Sequence, residues 1–348
     1  MAITETKTKY GQVHGVQKDG YTVFRGVPYA KPPVGEKRFC PPEEPACWEG
    51  VYKADHFGCV CPQTEHEPDS FYGKEFYLDP EFGMKQSEDC LYLNIWTPAN
   101  TVDEKLPVAF WIHGGAFMHG FSHESEFDGA AYCERGVILV AINYRLGAFG
   151  FLAHPWLSEE SGAGRSGNYA ILDQIAALKW VKENISAFGG DPENITVGGE
   201  SAGAFITSAL MGLREAQGLF QRCILESGSI VGLNSVARYG AGNPEIYLEN
   251  SRRVAKDLGA SDSAEGVELL RRLPAQDLLK AWFFREDGSY RGTRTDPVLK
   301  GFLFDEDYAV DPRSQYINDV DLLFGFNTDE GTIFADKNLT PKDYENYL

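Results

Sequence analysis

Ser201 lies between two glycines in the run Gly199-Glu200-Ser201-Ala202-Gly203, a spacing that can present a serine hydroxyl as a nucleophile. The β-branched residues 195–197 before it predict a buried strand, and residues 202–213 after it predict a helix. A strand that turns directly into a helix forces a strained bend at the serine, and the flanking glycines lack the Cβ atoms that would keep the two elements apart. Although such a pattern also occurs in flexible turns, this setting favours an exposed nucleophile at a helix N-terminus.

A second candidate is the run Trp111-Ile112-His113-Gly114-Gly115-Ala116-Phe117, in which a predicted strand leads into two glycines. Acyl transfer develops negative charge on the former carbonyl oxygen, and backbone N–H groups aimed at that oxygen stabilise it. One such donor belongs to the residue after the nucleophile, here Ala202, and others to a His-Gly-Gly loop after an earlier strand. We expect Gly115 and Ala116 to be the loop donors of this oxyanion hole. The alternative is an ordinary glycine turn.

The elements that must position these residues alternate between short strands and longer helices, which predicts an α/β fold. Continuous apolar runs at 108–112 and 137–142 are typical of strands buried in the centre of a mostly parallel sheet. Asp19-Gly20 between two apolar segments predicts an antiparallel hairpin near the start. A helical face is predicted at Ile171, Ile175, Leu178, Val181 and Ile185. Further strands are predicted at 90–96, 222–225 and 320–324, and further helices at 246–258 and 275–282.

The composition is that of a large, acidic globular protein. At 348 residues and 43% apolar content, the chain can bury a large core. With 51 acidic against 32 basic residues the formal charge is −19, which disfavours nucleic-acid and membrane-surface partners. No apolar run approaches the roughly 18 residues of a membrane span, and the first residues form no apolar signal core. A cytoplasmic location is therefore expected.

The seven cysteines are spread along the chain without a Cys-x-x-Cys pair or a Cys/His cluster. Zinc sites need such spacing, so neither a metal nor a cofactor is expected. In a reducing compartment most of these thiols should be free, buried and act as small apolar side chains.

Taken together, these segments give the chain a resemblance to the type B carboxylesterases, the group of α/β-hydrolase serine esterases that includes cholinesterases and bacterial esterases. The resemblance covers residues 11–334 and implies one α/β-hydrolase domain that hydrolyses small-molecule esters. It also implies a disulfide between Cys61 and Cys90. The matching segments, in family order, are Phe24 to Ala30, Pro32 to Gly35, Arg38-Phe39, Ser87 to Trp96, Asn143-Tyr144-Arg145, Gly167-Asn168, Asp173-Gln174 and Phe188 to Pro192.

A catalytic triad needs an acid to orient its histidine, and in this fold the chain order is Ser, then Asp or Glu, then His. The run at 325–331 follows the predicted strand at 320–324 and resembles the family segment that carries the acid, which maps onto Glu330. Asp329 is the alternative, because reasoning from the residues does not separate two adjacent carboxylates. Ser227 and Glu200 are candidates for supporting hydrogen bonds, with ordinary packing as the alternative reading of each.

The histidine is the missing member, since all seven histidines precede Ser201 and none follows Glu330. Thr340 and Pro341 predict a helix beginning at Lys342 that meets no stop signal before Leu348. We therefore expect a domain incomplete at its C-terminus, with the histidine on a second chain, lost to truncation or absent from the gene. Two functions stay open: a serine ester hydrolase acting through Ser201, or an inactive esterase-like binding module or truncated fragment.

Overall fold

The computed structural model describes residues 2–67, 69–75, 83–229, 244–291, 295, 297, 302–303, 318–332, 340 and 342. Ten strands lie within these residues and form one sheet. They are β1 (Glu5–Thr8), β2 (Gly11–Gln17), β3 (Thr22–Pro28), β4 (Val51–Ala54), β5 (Tyr92–Thr97), β6 (Leu106–Ile112), β7 (Ile138–Ile142), β8 (Gly190–Glu200), β9 (Arg222–Glu226) and β10 (Asp321–Gly325).

Helices connect these strands and cover the sheet. The α-helices of the described residues are α1 (Phe71–Glu75), α2 (Ala130–Cys133), α3 (Gly147–Phe151), α4 (Pro155–Glu160), α5 (Tyr169–Asn184), α6 (Ala202–Met211), α7 (Pro244–Asp257), α8 (Ala264–Arg272) and α9 (Ala275–Phe283). Short 3-10 helices occur at Gly35–Lys37, Ser125–Phe127, Ile185–Phe188 and Arg214–Ala216. The helices predicted at 202–213, 246–258 and 275–282 are confirmed within a few residues at their ends.

The sheet is mixed rather than mostly parallel, which corrects the sequence-based expectation. Its strand order is β1-β2-β3-β5-β7-β6-β8-β9-β10, with β4 paired to β2. The strands from β7 to β10 in that order are parallel, as predicted for the centre. The predicted N-terminal hairpin is confirmed by the antiparallel pairing of Val16 with Val23, but antiparallel pairing continues through β5 to β7. Hydrophobic runs do not encode the partner of a strand, so the extent of this half was not predictable.

The core lies on both faces of the central strands. In β6, Val108, Phe110 and Ile112 face the main core, while Ala109 and Trp111 face a smaller cluster on the opposite side. This follows from the two-residue period of a strand. All five residues of β7 are buried, which is why its sequence is a continuous apolar run rather than an alternating one. The predicted helical face on α5 is confirmed, since its apolar residues and Ile185 just beyond it are buried.

Strand β10 at the outer end of the sheet is exposed throughout. It pairs in parallel with β9 from Asp321 opposite Arg222 to Gly325 opposite Glu226. Leu323 and Phe324 are 66% and 70% exposed, and Phe326 just beyond the strand is 78% exposed. The strand that leads to Glu330 therefore carries apolar side chains in contact with solvent.

The seven cysteines are all free thiols, so the disulfide between Cys61 and Cys90 implied by the family resemblance is not formed. Both side chains are buried, and the Cys61 sulfur accepts a hydrogen bond from the Leu146 backbone N–H at 3.1 Å. Burial and the neighbouring Cys61 thiol raise the pKa of Cys90 well above its usual value. Cys133 and Cys223 are also buried, as expected of small apolar side chains.

None of the helices in the described part of the chain is long and apolar enough to cross a bilayer. The helix predicted to begin at Lys342 falls mostly outside the described residues, since Pro341 and residues 343–348 are not among them.

Candidate active site

Ser201 alone separates β8 from α6, and its backbone is strained as predicted. Its φ of 52° and ψ of −118° place a residue with a side chain in a region that is nearly reserved for glycine. A backbone of this kind costs about 1–3 kcal/mol and persists only when its surroundings fix it. The Ser201 N–H donates to the Glu226 carbonyl at 2.8 Å, and its own carbonyl accepts from the Phe205 N–H at 3.0 Å. The bend is therefore held by β9 on one side and by the first turn of α6 on the other.

The two glycines around Ser201 allow strand and helix to approach each other. A Cβ atom on Gly203 would lie 2.0 Å from the Ile112 carbonyl oxygen, and one on Gly199 would lie 2.5 Å from the Gly203 carbonyl carbon. Both obstacles are backbone atoms, which cannot rotate away. The glycines are thus required by the close packing of α6 against the ends of β6 and β8, as the sequence pattern predicted.

The loop after β6 turns through consecutive residues with positive φ: Gly115 at 97°, Ala116 at 52° and Phe117 at 61°. The Met118 and His119 N–H groups close it by donating to the Gly115 carbonyl at 2.9 and 3.1 Å. Phe117 fastens the loop to the core, where its ring is buried among apolar neighbours.

The backbone N–H groups of Gly115 and Ala116 donate to no acceptor among the described residues, and neither does that of Ala202 at the first position of α6. The first N–H groups of a helix have no partner within the helix, which accounts for Ala202. Free donors beside a strained serine are what an oxyanion hole requires.

Residues of the family-like segments support this loop from below. The Tyr144 hydroxyl donates to the His113 carbonyl at 2.9 Å, and the two rings stack 4.3 Å apart. Next to Tyr144, the guanidinium of Arg145 makes a bidentate pair with Asp173 of α5 at 2.8 and 2.7 Å, and both side chains are buried. The run Asn143-Tyr144-Arg145 thus links β7, α5 and the loop.

A cavity of about 820 Å³ opens in front of Ser201. Gly115, Ala116, Glu200 and Glu330 border it with the serine, which brings together most of the predicted site residues. Ala202 does not border the cavity and is buried beneath it, with its N–H at the start of α6. The wall also contains aromatic residues that sequence reasoning did not assign to the site: Phe71, Tyr72, Trp111, Phe127 and Tyr132.

Glu330 reaches this cavity from the loop after β10, whereas Asp329 is not among its lining residues. The Glu330 Oε2 atom accepts hydrogen bonds from the Ser227 hydroxyl at 2.8 Å and from the Asn327 N–H at 3.0 Å. These two donors lower the pKa of Glu330 below its usual value, so it is a carboxylate at neutral pH. The supporting hydrogen bond suggested for Ser227 is therefore present, and it goes to Glu330.

Glu200, next to the nucleophile, has the opposite electrostatic behaviour. Partial burial, with repulsion from Glu330, Glu226 and Glu126, raises its pKa to about 7. A Cβ atom on Gly114 would lie 2.8 Å from Glu200 Oε2 and 3.4 Å from Ser201 Cβ, so the Glu200 carboxyl group lies beside the loop as well as the serine.

The structure describes all seven histidines, and His119 is the one that borders the cavity. It makes no hydrogen bond to Ser201 or Glu330; its ring instead contacts that of His66 edge-on at 4.7 Å. Burial lowers the pKa of His119 to about 4 and that of His113 to about 3, so both rings are neutral. Within the described part of the chain, no group of three or more His, Cys, Asp or Glu side chains could hold a metal ion.

Comparison with known proteins agrees with this geometry. The model of the carboxylesterase family matches residues 3–347. Para-nitrobenzyl esterase of Bacillus subtilis (strain 168) is 44% identical over 285 residues, which are 79% of this chain and 51% of that protein. Fumonisin B1 esterase of Sphingopyxis macrogoltabida is 38% identical over 334 residues, 95% of this chain and 57% of that protein. The crystal structure of the Geobacillus stearothermophilus carboxylesterase EST55 superposes with a TM-score of 0.82 at 38% identity, covering 99% of this chain and 67% of that one.

The mixed sheet and its flanking helices are those of an α/β hydrolase. Within that class, the chain belongs to the carboxylesterase family. It spans about half the length of the curated relatives it matches. The family match covers nearly the whole chain and does not confirm the expected loss of a C-terminal portion.

Proposed function

We propose that this chain carries the nucleophile of a serine carboxylic-ester hydrolase acting on small-molecule esters. The observation that carries the proposal is the strained Ser201 beside a cavity, next to N–H groups with no acceptor. Ser201 Oγ attacks the ester carbonyl, and the N–H groups of Gly115, Ala116 and Ala202 hold the oxyanion that forms. Donors of this kind contribute about 3–4 kcal/mol each to the transition state.

The reaction proceeds in two halves. In the first, the carbonyl carbon bonds to Oγ, the alcohol leaves with a proton, and an acyl-enzyme remains on Ser201. In the second, water attacks the acyl group, the bond to Oγ breaks, and the acid is released. Each half needs a base that accepts a proton from the attacking hydroxyl and an acid that returns one to the leaving group.

We propose that a histidine from outside these 348 residues is that base, on a second chain or on further polypeptide, and that Glu330 orients it. The support is the position of the seven histidines in the structure, where His119 alone borders the cavity without a bond to Ser201 or Glu330. Glu330 uses Oε2 for Ser227 and Asn327, which leaves Oε1 for an imidazole N–H. Removing the histidine of a serine protease lowers turnover about a millionfold, so the same dependence is expected here.

We also propose that residues 1–348 belong to one α/β-hydrolase domain, because a single sheet takes strands from Glu5 to Gly325. The alternative, an inactive binding module, needs neither a strained serine nor unpaired amide donors. Both features are present, which favours the hydrolase.

A fluorophosphonate probe tests the proposal, because it bonds only to an activated serine. The full chain is incubated with the probe, with and without 0.1 M imidazole as a substitute base at about pH 7, and labelling is located by mass spectrometry. We expect an adduct on Ser201 that forms faster with imidazole and is absent from Ser201→Ala. Ser161→Ala, which removes an exposed serine hydroxyl elsewhere, should label like the wild type. A folded protein that stays unlabelled at Ser201 in both buffers contradicts the hydrolase and favours the binding module.

A further inference from the structure

The cavity beside Ser201 carries charged side chains of one sign. Its lining includes Phe71, Tyr72 and other aromatic rings, but no lysine or arginine belongs to the lining that the structure describes. The five charged residues of the wall are Glu124, Glu126, Glu200, Glu226 and Glu330. The site itself is defined by the nucleophile and its amide donors; the glutamates set the electrostatic potential there.

These carboxylates converge from distant parts of the chain. Glu200 and Glu226 are the last residues of the neighbouring strands β8 and β9, and Glu330 follows β10. Glu126 lies in the 3-10 helix after the oxyanion loop. The carboxyl ends of parallel strands meet at one edge of a sheet, so the fold gathers these side chains at the cavity.

The negative charge is not balanced locally. Among the described residues, no lysine or arginine forms an ion pair with Glu126, Glu200, Glu226 or Glu330. The donors to Glu330 are a hydroxyl and a backbone amide, both neutral. The raised pKa of Glu200, caused by burial and then by three other glutamates, is the effect expected of carboxylates that share a site without a cation.

We propose that this cavity selects its ligands by charge: it admits esters whose acyl and alcohol groups are neutral or cationic, and it repels carboxylates. The inference rests on the proposed ester hydrolysis for its consequence. Hydrolysis consumes a neutral ester and one water and yields an alcohol and a carboxylic acid, which loses its proton to solvent at neutral pH. The product thus acquires the charge that the wall repels and is driven out of the cavity.

A series of ligands that differ mainly in charge tests this selection without any chemistry at Ser201. The probes are 4-phenylbutanoate, 4-phenylbutanamide and 4-phenylbutylammonium, whose phenyl ring suits the aromatic wall, and binding to the full chain is measured by calorimetry at low salt. We expect the amide to bind at least about tenfold more tightly than the carboxylate, since one unit charge faces several carboxylates in a partly dry cavity. The ammonium should bind at least as tightly as the amide.

Two glutamine variants assign the effect to the wall. Glu226→Gln removes a cavity charge and should narrow the gap between amide and carboxylate several-fold. Glu215→Gln, which removes an exposed charge outside the cavity lining, should leave the gap unchanged. Equal binding of carboxylate and amide, equal effects of the two variants, or no binding of any probe overturns the proposal. Charge selection in a protein whose Ser201 resists the fluorophosphonate would instead contradict the hydrolase alone.

Discussion

Replacing Gly203 by alanine tests whether the approach of α6 to β6 builds the site. The new Cβ atom would lie 2.0 Å from the Ile112 carbonyl oxygen and 2.9 Å from that of His113. Ordinary contacts begin at 3.4 Å, so the helix and the strand end must separate by about 1 Å or more. We expect a loss of about 1–3 kcal/mol in the free energy of unfolding, the usual cost of one carbon too many in a packed region.

The same displacement acts on reactivity, because Ser201 begins α6 and His113 leads into the oxyanion loop. A misplacement of about 1 Å can lower a rate about 100-fold. We therefore expect fluorophosphonate labelling of Ser201 to slow by about that factor in Gly203→Ala, measured by intact mass over time, with stability followed by urea unfolding. The matched control is Gly325→Ala, whose Cβ atom would meet no atom within 4 Å. If Gly203→Ala labels and unfolds like Gly325→Ala, the close approach is not what shapes the site.

Three further outcomes follow from described contacts. Asp173→Asn leaves Arg145 buried without its countercharge and should lower the free energy of unfolding by about 3–5 kcal/mol in urea titrations; a change below about 1 kcal/mol would contradict it. Ser227→Ala removes a donor to Glu330, so the pKa of that carboxylate should rise toward its usual value in an NMR titration, and an unchanged pKa would show that the hydroxyl is not its partner. Because the pKa of Glu200 is raised to about 7 from 4.5, the folded state holds this proton more tightly than the unfolded state, and stability from this group falls as pH rises across that interval. Thermal unfolding should therefore show Glu200→Gln gaining stability relative to the wild type between pH 4.5 and 7, and parallel pH profiles would refute the shift.

What the sequence predicted best is local. The bend at Ser201 needs only a strand, a helix and two small residues next to each other, and the positive φ of Ser201 is the conformation that this order of elements imposes. The buried runs of β6 and β7 were equally accessible, since continuous apolar residues have few other uses in an α/β protein.

What it could not predict depends on distant parts of the chain. Adjacent Asp329 and Glu330 differ in the folded protein because only Glu330 meets the hydroxyl of Ser227, 103 positions earlier. The extent of antiparallel pairing depends on which strands become neighbours, and the glutamates of the cavity wall are brought together only by strand order. The pairing implied for Cys61 failed for a related reason, because resemblance carries a family's chemistry without the state of each thiol.

The outermost strand, β10, has a practical consequence for anyone who handles this protein. Its outward backbone edge and its bare leucine and phenylalanine side chains form a surface on which another strand can add. Concentrated samples should therefore oligomerise edge to edge, and such self-association would bring a foreign chain beside the loop of Glu330. Assays of reactivity belong in dilute solution, with light scattering recorded on the same sample.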